Sequence, residues 1–290
     1  MYKRLIKTVD FVVFGNIFIA ICAGAMVQAT YFLNGFSARF SLITFFIANS
    51  TFLLYNFHKI SFNLKYTGFQ VFFNSLFRQK FKRSEKVPII GSFVIEFLLC
   101  FYIRPGTLVL LFFMAIPALL YSIPLFSKGN TKIKLRELLF FKMPLLAFVW
   151  AFSTVLIPAI DCGGSIQSTY VWLQFLSRFF FIFALCIPFE VRDIEFDNLN
   201  KIRTIPVVFG EKQTKWIGAT AVFVEIAIHH FIYIHYKIPV NILAALDVSS
   251  LIALAWIVFE NKWSGKYYYK LGVDGTMMLR FLLLLFFTWL

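Results

Sequence analysis

Nine long apolar stretches follow one another along the chain, roughly over residues 10 to 32, 40 to 57, 89 to 103, 106 to 126, 138 to 160, 170 to 189, 215 to 235, 238 to 259 and 273 to 290. A helix needs about 20 predominantly apolar residues to cross the hydrocarbon core of a bilayer. The pattern therefore predicts an all-α membrane protein, a bundle of nine transmembrane helices forming a single domain over residues 1–290. Basic residues sort with the gaps between these stretches. If the N-terminus is cytoplasmic, Arg39, Arg104 and Lys237 fall outside and Arg178 and Arg280 within spans, which leaves 23 of the 28 Lys and Arg on the inner face. The positive-inside rule then orients the chain with its N-terminus in and its C-terminus out. The expected location is the bacterial inner membrane.

Composition supports the same picture. Hydrophobic residues make up 60% of the 290 positions, charged residues 14%, and the mean hydropathy is +0.79. A water-soluble domain would carry roughly a quarter of its residues charged. The basic excess, 28 Lys and Arg against 14 Asp and Glu, lies at one membrane face beside anionic lipid headgroups, so membrane lipid accounts for it and no nucleic-acid partner is needed. The N-terminus has signal-peptide features, including the small-residue site Val27-Gln28-Ala29, but its apolar run is long and interrupted by Asp10 and Asn16. The first helix is expected to be retained. Phe, at 40 positions, would cover much of the lipid-facing surface.

The four cysteines suggest no disulfide framework and no C-x-x-C metal site, since Cys22, Cys100 and Cys186 lie in apolar spans and Cys162 is alone in an outer loop. Phosphate-binding loops, dinucleotide fingerprints and H-E-x-x-H motifs are absent from the sequence. Chemistry concentrates at the end of the sixth stretch, in Glu190-Val191-Arg192-Asp193-Ile194-Glu195-Phe196-Asp197. At 100° per residue Glu190, Asp193 and Asp197 share a helical face about 60° wide. Three carboxylates on one stripe repel, and need cations, a divalent metal or full hydration. Mg²⁺ suits them because it takes carboxylate oxygens and completes its shell with water and phosphate. Lys201 and Arg203, close behind, suit the rest of a diphosphate. The competing reading is a solvated juxtamembrane loop.

The run from Glu190 to Asp197, followed by Lys201-Ile202-Arg203-Thr204-Ile205-Pro206-Val207-Val208-Phe209-Gly210, resembles the second aspartate-rich motif of the UbiA superfamily of intramembrane prenyltransferases. Tyr121-Ser122-Ile123-Pro124 and the basic loop beginning at Lys128 are similar to the family's segment after its fourth helix. The resemblance implies a central cavity opening near the cytoplasmic side. It further implies Mg²⁺ on Glu190, Asp193 and Asp197 as the metal-binding and catalytic carboxylates, and Lys201, Arg203 and Lys128 as diphosphate contacts. The partners implied are an isoprenyl diphosphate and a lipophilic acceptor, joined after metal-assisted ionisation of the allylic C–O bond.

The family's first motif, an N-D-x-x-D-x-x-x-D end of the second helix, is degenerate in this chain. Residues 49 to 62 hold no aspartate. The preferred register puts His58-Lys59 on the family's central Asp-Arg pair and Tyr55 and Phe62 at the flanking aspartate positions, with Tyr55, Asn56 and His58 as the degenerate motif and His58 and Lys59 expected as cationic diphosphate contacts; a second register places Ser50, Leu53 and Phe57 at the aspartate positions. Two outcomes stay open: one Mg²⁺ helped by His58 or Lys59 sustains prenyl transfer, or the chain keeps the fold and a ligand cavity without ionisation chemistry. A transporter is the remaining alternative. Glu96, Arg178, Glu225 and Asp247 lie in apolar runs and are expected to face the bundle interior, His229-His230 to form interfacial hydrogen bonds, and Lys266-Tyr267-Tyr268-Tyr269-Lys270 to form a headgroup-level belt.

Overall fold

The computed structural model describes residues 2–36, 41–63, 83–120, 124–128, 131–134, 141–200, 202–260, 265 and 267–289. Helices α1 (Tyr2–Phe14) and α2 (Ile17–Leu33) open the chain, followed by α3 (Leu42–Asn63), α4 (Arg83–Cys100) and α5 (Pro105–Leu120). An antiparallel hairpin, β1 (Pro124–Lys128) and β2 (Thr131–Lys134), comes next. Then follow α6 (Lys142–Asp161), α7 (Thr169–Arg192), the short α8 (Ile194–Leu199) and α9 (Ile205–Phe209), α10 (Glu211–Tyr236), α11 (Val240–Val258) and α12 (Tyr268–Trp289).

Among the described residues, α6, α7, α10, α11 and α12 are long and apolar enough to cross a membrane, and α1 with α2 makes a sixth candidate if the bent pair is one span. The fold is thus helical and membrane-spanning. Helix α3 reaches 22 residues, but Asn49, Ser50, Asn56, His58 and Lys59 dilute its hydropathy. The apolar parts of α4 and α5 are shorter, Val87–Cys100 and Pro105–Leu119. The fourth apolar stretch stops being helical earlier than its hydropathy suggests, and Pro124 to Lys128 forms a strand.

The first expected span, 10 to 32, is not one straight helix. It bends by 63° at Gly15 and Asn16, where Asn16 takes a left-handed backbone, φ 64°, a conformation that Asn tolerates better than most residues. The buried Asn16 side chain donates to Asn56 Oδ1 at 3.4 Å and accepts from Lys270 Nζ at 3.3 Å. The polar residue that interrupts the apolar run is therefore a joint between α2, α3 and α12.

Helix α7 runs through the middle of the molecule, with α6, α10 and α11 packed around it, while α2 lies between α3 and α12. Polar groups in the interior tie these helices together. Arg178 donates to Met26 O at 3.1 Å and to Thr154 Oγ1 at 3.0 Å. Residues 152–156 of α6 form a π turn, which widens the helix, and the carbonyl of Thr154 accepts from Thr30 Oγ1 at 2.6 Å. Arg280 pairs with Glu225 at 2.6 Å and lies 3.3 Å over the Phe181 ring. Glu96 accepts from Asn49 Nδ2 at 2.6 Å and from Ser50 Oγ, linking α4 to α3. Arg178, Glu225 and Glu96 face other helices, as expected, while Asp247 is 21% exposed and pairs with the buried His229 and the exposed His230.

The stretch Thr204 to Gly210 has a plain local logic. Thr204 precedes α9 in extended conformation, Pro206 stands in its first turn, where no amide hydrogen is required, and Gly210 ends it at φ 85°. This tight connection folds the chain after α7 and α8 back into α10.

Candidate active site

Tyr55 of α3 and the end of α7 line one cavity of about 250 Å³, together with the start of α6, the α1–α2 joint and the start of α12. Apolar side chains make its walls, among them Phe18, Ile19, Leu146, Trp150 and Phe189. Three cations, Lys142, Arg192 and Lys270, and three carboxylates, Glu190, Asp193 and Asp274, line it as well. Charged groups of both signs in an apolar-walled pocket are costly unless they serve each other or a ligand.

The carboxylates of the acidic motif are not equivalent. Glu190 and Asp197 are buried, 4% and 3% exposed, whereas the Asp193 side chain is 33% exposed. Lys142 Nζ lies 2.8 Å from Glu190 Oε1 and 3.8 Å from Asp197 Oδ2, bridging the two buried acids. Asp193 is the one residue between α7 and α8, and Arg192 grips it with two nitrogens, Nε at 2.8 Å and Nη2 at 3.3 Å. The guanidinium also lies over the rings of Tyr269, 4.7 Å, and Phe189, 5.3 Å.

The three carboxylates expected to share one ion therefore do not converge. Among the described residues no group of three His, Cys, Asp or Glu side chains is arranged to hold a metal. Arg192 competes for Asp193, and an ammonium already stands between the other two. That ammonium is a stand-in cation: oxygens of Glu190 and Asp197 lie 2.8 and 3.8 Å from a single positive charge on a side chain that lines the cavity. The pair fits Mg²⁺, which accepts one or two protein carboxylates and fills its shell with water and phosphate oxygens.

From α3 it is Tyr55 that reaches the cavity. Asn56 is buried against Asn16 and the Phe52 carbonyl. His58 packs its ring near Tyr55 and Phe57, at 6.3 and 6.0 Å, and Lys59 is exposed and donates to Phe14 O at 3.4 Å. Neither His58 nor Lys59 lines the cavity. Arg203 is exposed on the connection after α8. Lys201, Tyr121 to Ile123 and the side chain of Lys128 lie outside the described residues.

Sequence reasoning missed Lys142, Arg192, Lys270 and Asp274. Lys142 carried a usable signal, a lone cation at the first residue of an apolar helix. The belt expected over Lys266 to Lys270 is corrected in its described part: Tyr268 is buried and donates to Trp256 O at 2.6 Å, Tyr269 donates to Glu260 Oε1 at 2.9 Å, and Tyr267 donates to Asp10 Oδ1 at 2.7 Å. These rings face protein groups and set Lys270 beside Asn16.

A second, larger chamber of about 550 Å³ lies between α3, α4, α5 and α6. Its lining is mostly apolar, with Glu96 as its one charged member and Ser50, Thr51, Ser153 and Thr154 as hydroxyls, and Tyr55 and Trp150 line both spaces.

The model of the UbiA prenyltransferase family matches residues 86–289. No curated protein sequence matches the chain. Its fold is similar to the apo structure of a UbiA homolog from Aeropyrum pernix K1, with a TM-score of 0.59 and 14% identity over 93% of this chain and 95% of that one. A UbiA homolog from Archaeoglobus fulgidus bound to GPP and Mg²⁺ gives a TM-score of 0.58 and 13% identity over 97% and 99%. A structure of digeranylgeranylglyceryl phosphate synthase gives 0.55 and 14% over 99% and 97%. Together with the acidic motif on its α7–α8 corner, the family match over residues 86–289 establishes that the chain belongs to the UbiA prenyltransferase family.

Proposed function

We propose that the protein is a membrane prenyltransferase that moves an isoprenyl group from an isoprenyl diphosphate to a lipophilic acceptor. The observation that carries this reading is the meeting of Lys142, Arg192 and Lys270 with Glu190 and Asp193 in one apolar-walled cavity. Phosphate oxygens accept from ammonium and guanidinium groups alike. Lys142, Arg192 and Lys270 would bind the diphosphate and stabilise the charge it gains as the allylic C–O bond breaks. Mg²⁺, held by Glu190 and Asp197 when bound, would draw further charge from the leaving group. The faces of Tyr55, Trp150 and Phe189 exclude water and suit an allylic cation by their quadrupole. The isoprenyl chain and the acceptor would occupy the apolar parts of this cavity and the chamber beyond Tyr55 and Trp150.

In this reading the chain is a single domain over residues 1–290 with nine spans, counting the bent α1–α2 pair and α3, α4 and α5. The cavity opens to the cytoplasm, with the N-terminus inside and the C-terminus outside. Lys128, Lys201 and Arg203 would add cations at the mouth, with His58 and Lys59 at its edge.

The absence of any carboxylate from residues 49 to 62 favours one second reading, a member that binds the diphosphate without ionising it. Purified protein in nanodiscs, supplied with radiolabelled geranyl diphosphate, Mg²⁺ and membrane lipid extract, separates the two. Labelled lipid product and released diphosphate, both lost in Glu190→Gln, are expected. Saturable binding without product would support the second reading, and no binding would contradict both.

A further inference from the structure

We infer that Lys142 is a displaceable counter-ion that makes divalent-metal binding at Glu190 and Asp197 depend on the diphosphate. The inference rests on the reading of the cavity as an isoprenyl diphosphate site. It deepens that reading by assigning Lys142 two successive partners.

Two buried carboxylates close enough to share one ammonium raise each other's energy, and that shared cation removes most of the cost. In this structure the cation is the Lys142 ammonium, 2.8 Å from Glu190 and 3.8 Å from Asp197. Its backbone is fixed as the first residue of α6, its stem is a flexible four-carbon chain, and its side chain is 22% exposed and lines the cavity. The ammonium therefore has both a tether and room to turn.

A divalent ion arriving alone must displace this ammonium. The displaced charge would then lie beside a dication, with the nearby Asp193 already held by Arg192 through two nitrogens. Asp274 lines the same cavity together with Lys270, so that carboxylate also has a cation close by. Metal alone thus meets a site whose anions are already matched. A diphosphate changes the balance, because its oxygens offer the displaced ammonium a new anionic partner a short swing away. Metal and diphosphate then bind with positive coupling, and by thermodynamic reciprocity each raises the other's affinity by the same factor.

The test uses the full chain in nanodiscs, Mn²⁺ as a spectroscopic substitute for Mg²⁺, and the non-ionisable analogue geranyl S-thiolodiphosphate. Free Mn²⁺ is read by electron paramagnetic resonance, with its complex in solution measured separately. Wild-type protein is expected to bind Mn²⁺ at least 5-fold more tightly when saturated with the analogue, the lower end of ordinary coupling. Lys142→Met is expected to bind Mn²⁺ at least 5-fold more tightly than wild type without the analogue and to lose most of the coupling. Lys142→Arg, which keeps the charge, is expected to restore weak metal binding in the absence of the analogue. Equal Mn²⁺ affinity of wild type with and without the analogue would overturn the inference while leaving the diphosphate reading intact, and this arm needs no variant to fold. Analogue that binds neither with nor without metal would overturn both.

Discussion

The Tyr55 ring meets the Trp150 ring nearly edge-on, with centroids 6.4 Å apart and planes at 81°. Both residues line the charged cavity and the apolar chamber. In the proposed function the pair stands between the diphosphate and its hydrocarbon chain. Trp150→Ala is expected to join the two spaces. Farnesyl diphosphate should then gain affinity over geranyl diphosphate by at least about tenfold relative to wild type, the equivalent of about two newly buried methylenes. Competition binding measures the ratio, and an unchanged ratio would show that the chain does not pass this wall. Loss of the buried indole is also expected to cost about 3–5 kcal/mol of stability.

Within the acidic motif the order of importance follows burial. Glu190→Gln leaves the Lys142 ammonium without its closer partner and should destabilise the protein by about 3 kcal/mol. Asp193→Asn breaks a half-exposed pair with Arg192 and should cost under about 1 kcal/mol. Thermal unfolding in detergent compares them, and equal losses would contradict the asymmetry between these carboxylates.

Cations that line the cavity should matter more than the cation candidates beside it. Arg192→Ala and Lys270→Ala each remove a charged donor, worth about 1.5–3 kcal/mol, and should weaken isoprenyl diphosphate binding tenfold or more. His58→Ala, whose ring packs on Tyr55 and Phe57, should change it by no more than about twofold. A His58→Ala loss as large as that of Arg192→Ala would bring α3 back as a phosphate-binding helix.

Away from the site, Glu225 and Arg280 form a fully buried pair, with Ser249 and Ser250 accepting from the guanidinium. Arg280→Ala should cost about 3–5 kcal/mol, because it leaves the buried Glu225 carboxylate without its cation, with Ser250 Oγ donating at 3.0 Å and His229 Nε2 at 3.5 Å as its remaining partners. Replacing both partners by Leu and Met should recover much of that loss. Thermal unfolding of the single and double variants measures the difference.

The membrane class, the approximate helix positions and the acidic motif were legible in the sequence because each follows from local composition and spacing. What the pattern could not supply was the partner of each charge. Hydropathy treats Asn16 as an interruption, but at the 63° bend its side chain bonds to Asn56 and Lys270, which lie 40 and 254 residues away. Helical periodicity placed Glu190, Asp193 and Asp197 on one stripe, but Arg192, adjacent in sequence, takes Asp193, and Lys142 from another helix takes the other two. Residues 266 to 270 have the composition of an interfacial belt, and it is tertiary packing that turns Tyr268 inward to the Trp256 carbonyl.

In the proposed function this cavity holds a diphosphate joined to an apolar chain. Calorimetric titration of geranyl diphosphate and of geraniol, in parallel, into the full chain in nanodiscs with Mg²⁺ tests it most directly. The account predicts saturable 1:1 binding of geranyl diphosphate, displaced by inorganic diphosphate and at least about 100-fold tighter than geraniol, the worth of two charge-assisted contacts at about 1.4 kcal/mol each. Equal affinity for the alcohol and the diphosphate, or no displacement by inorganic diphosphate, would contradict it.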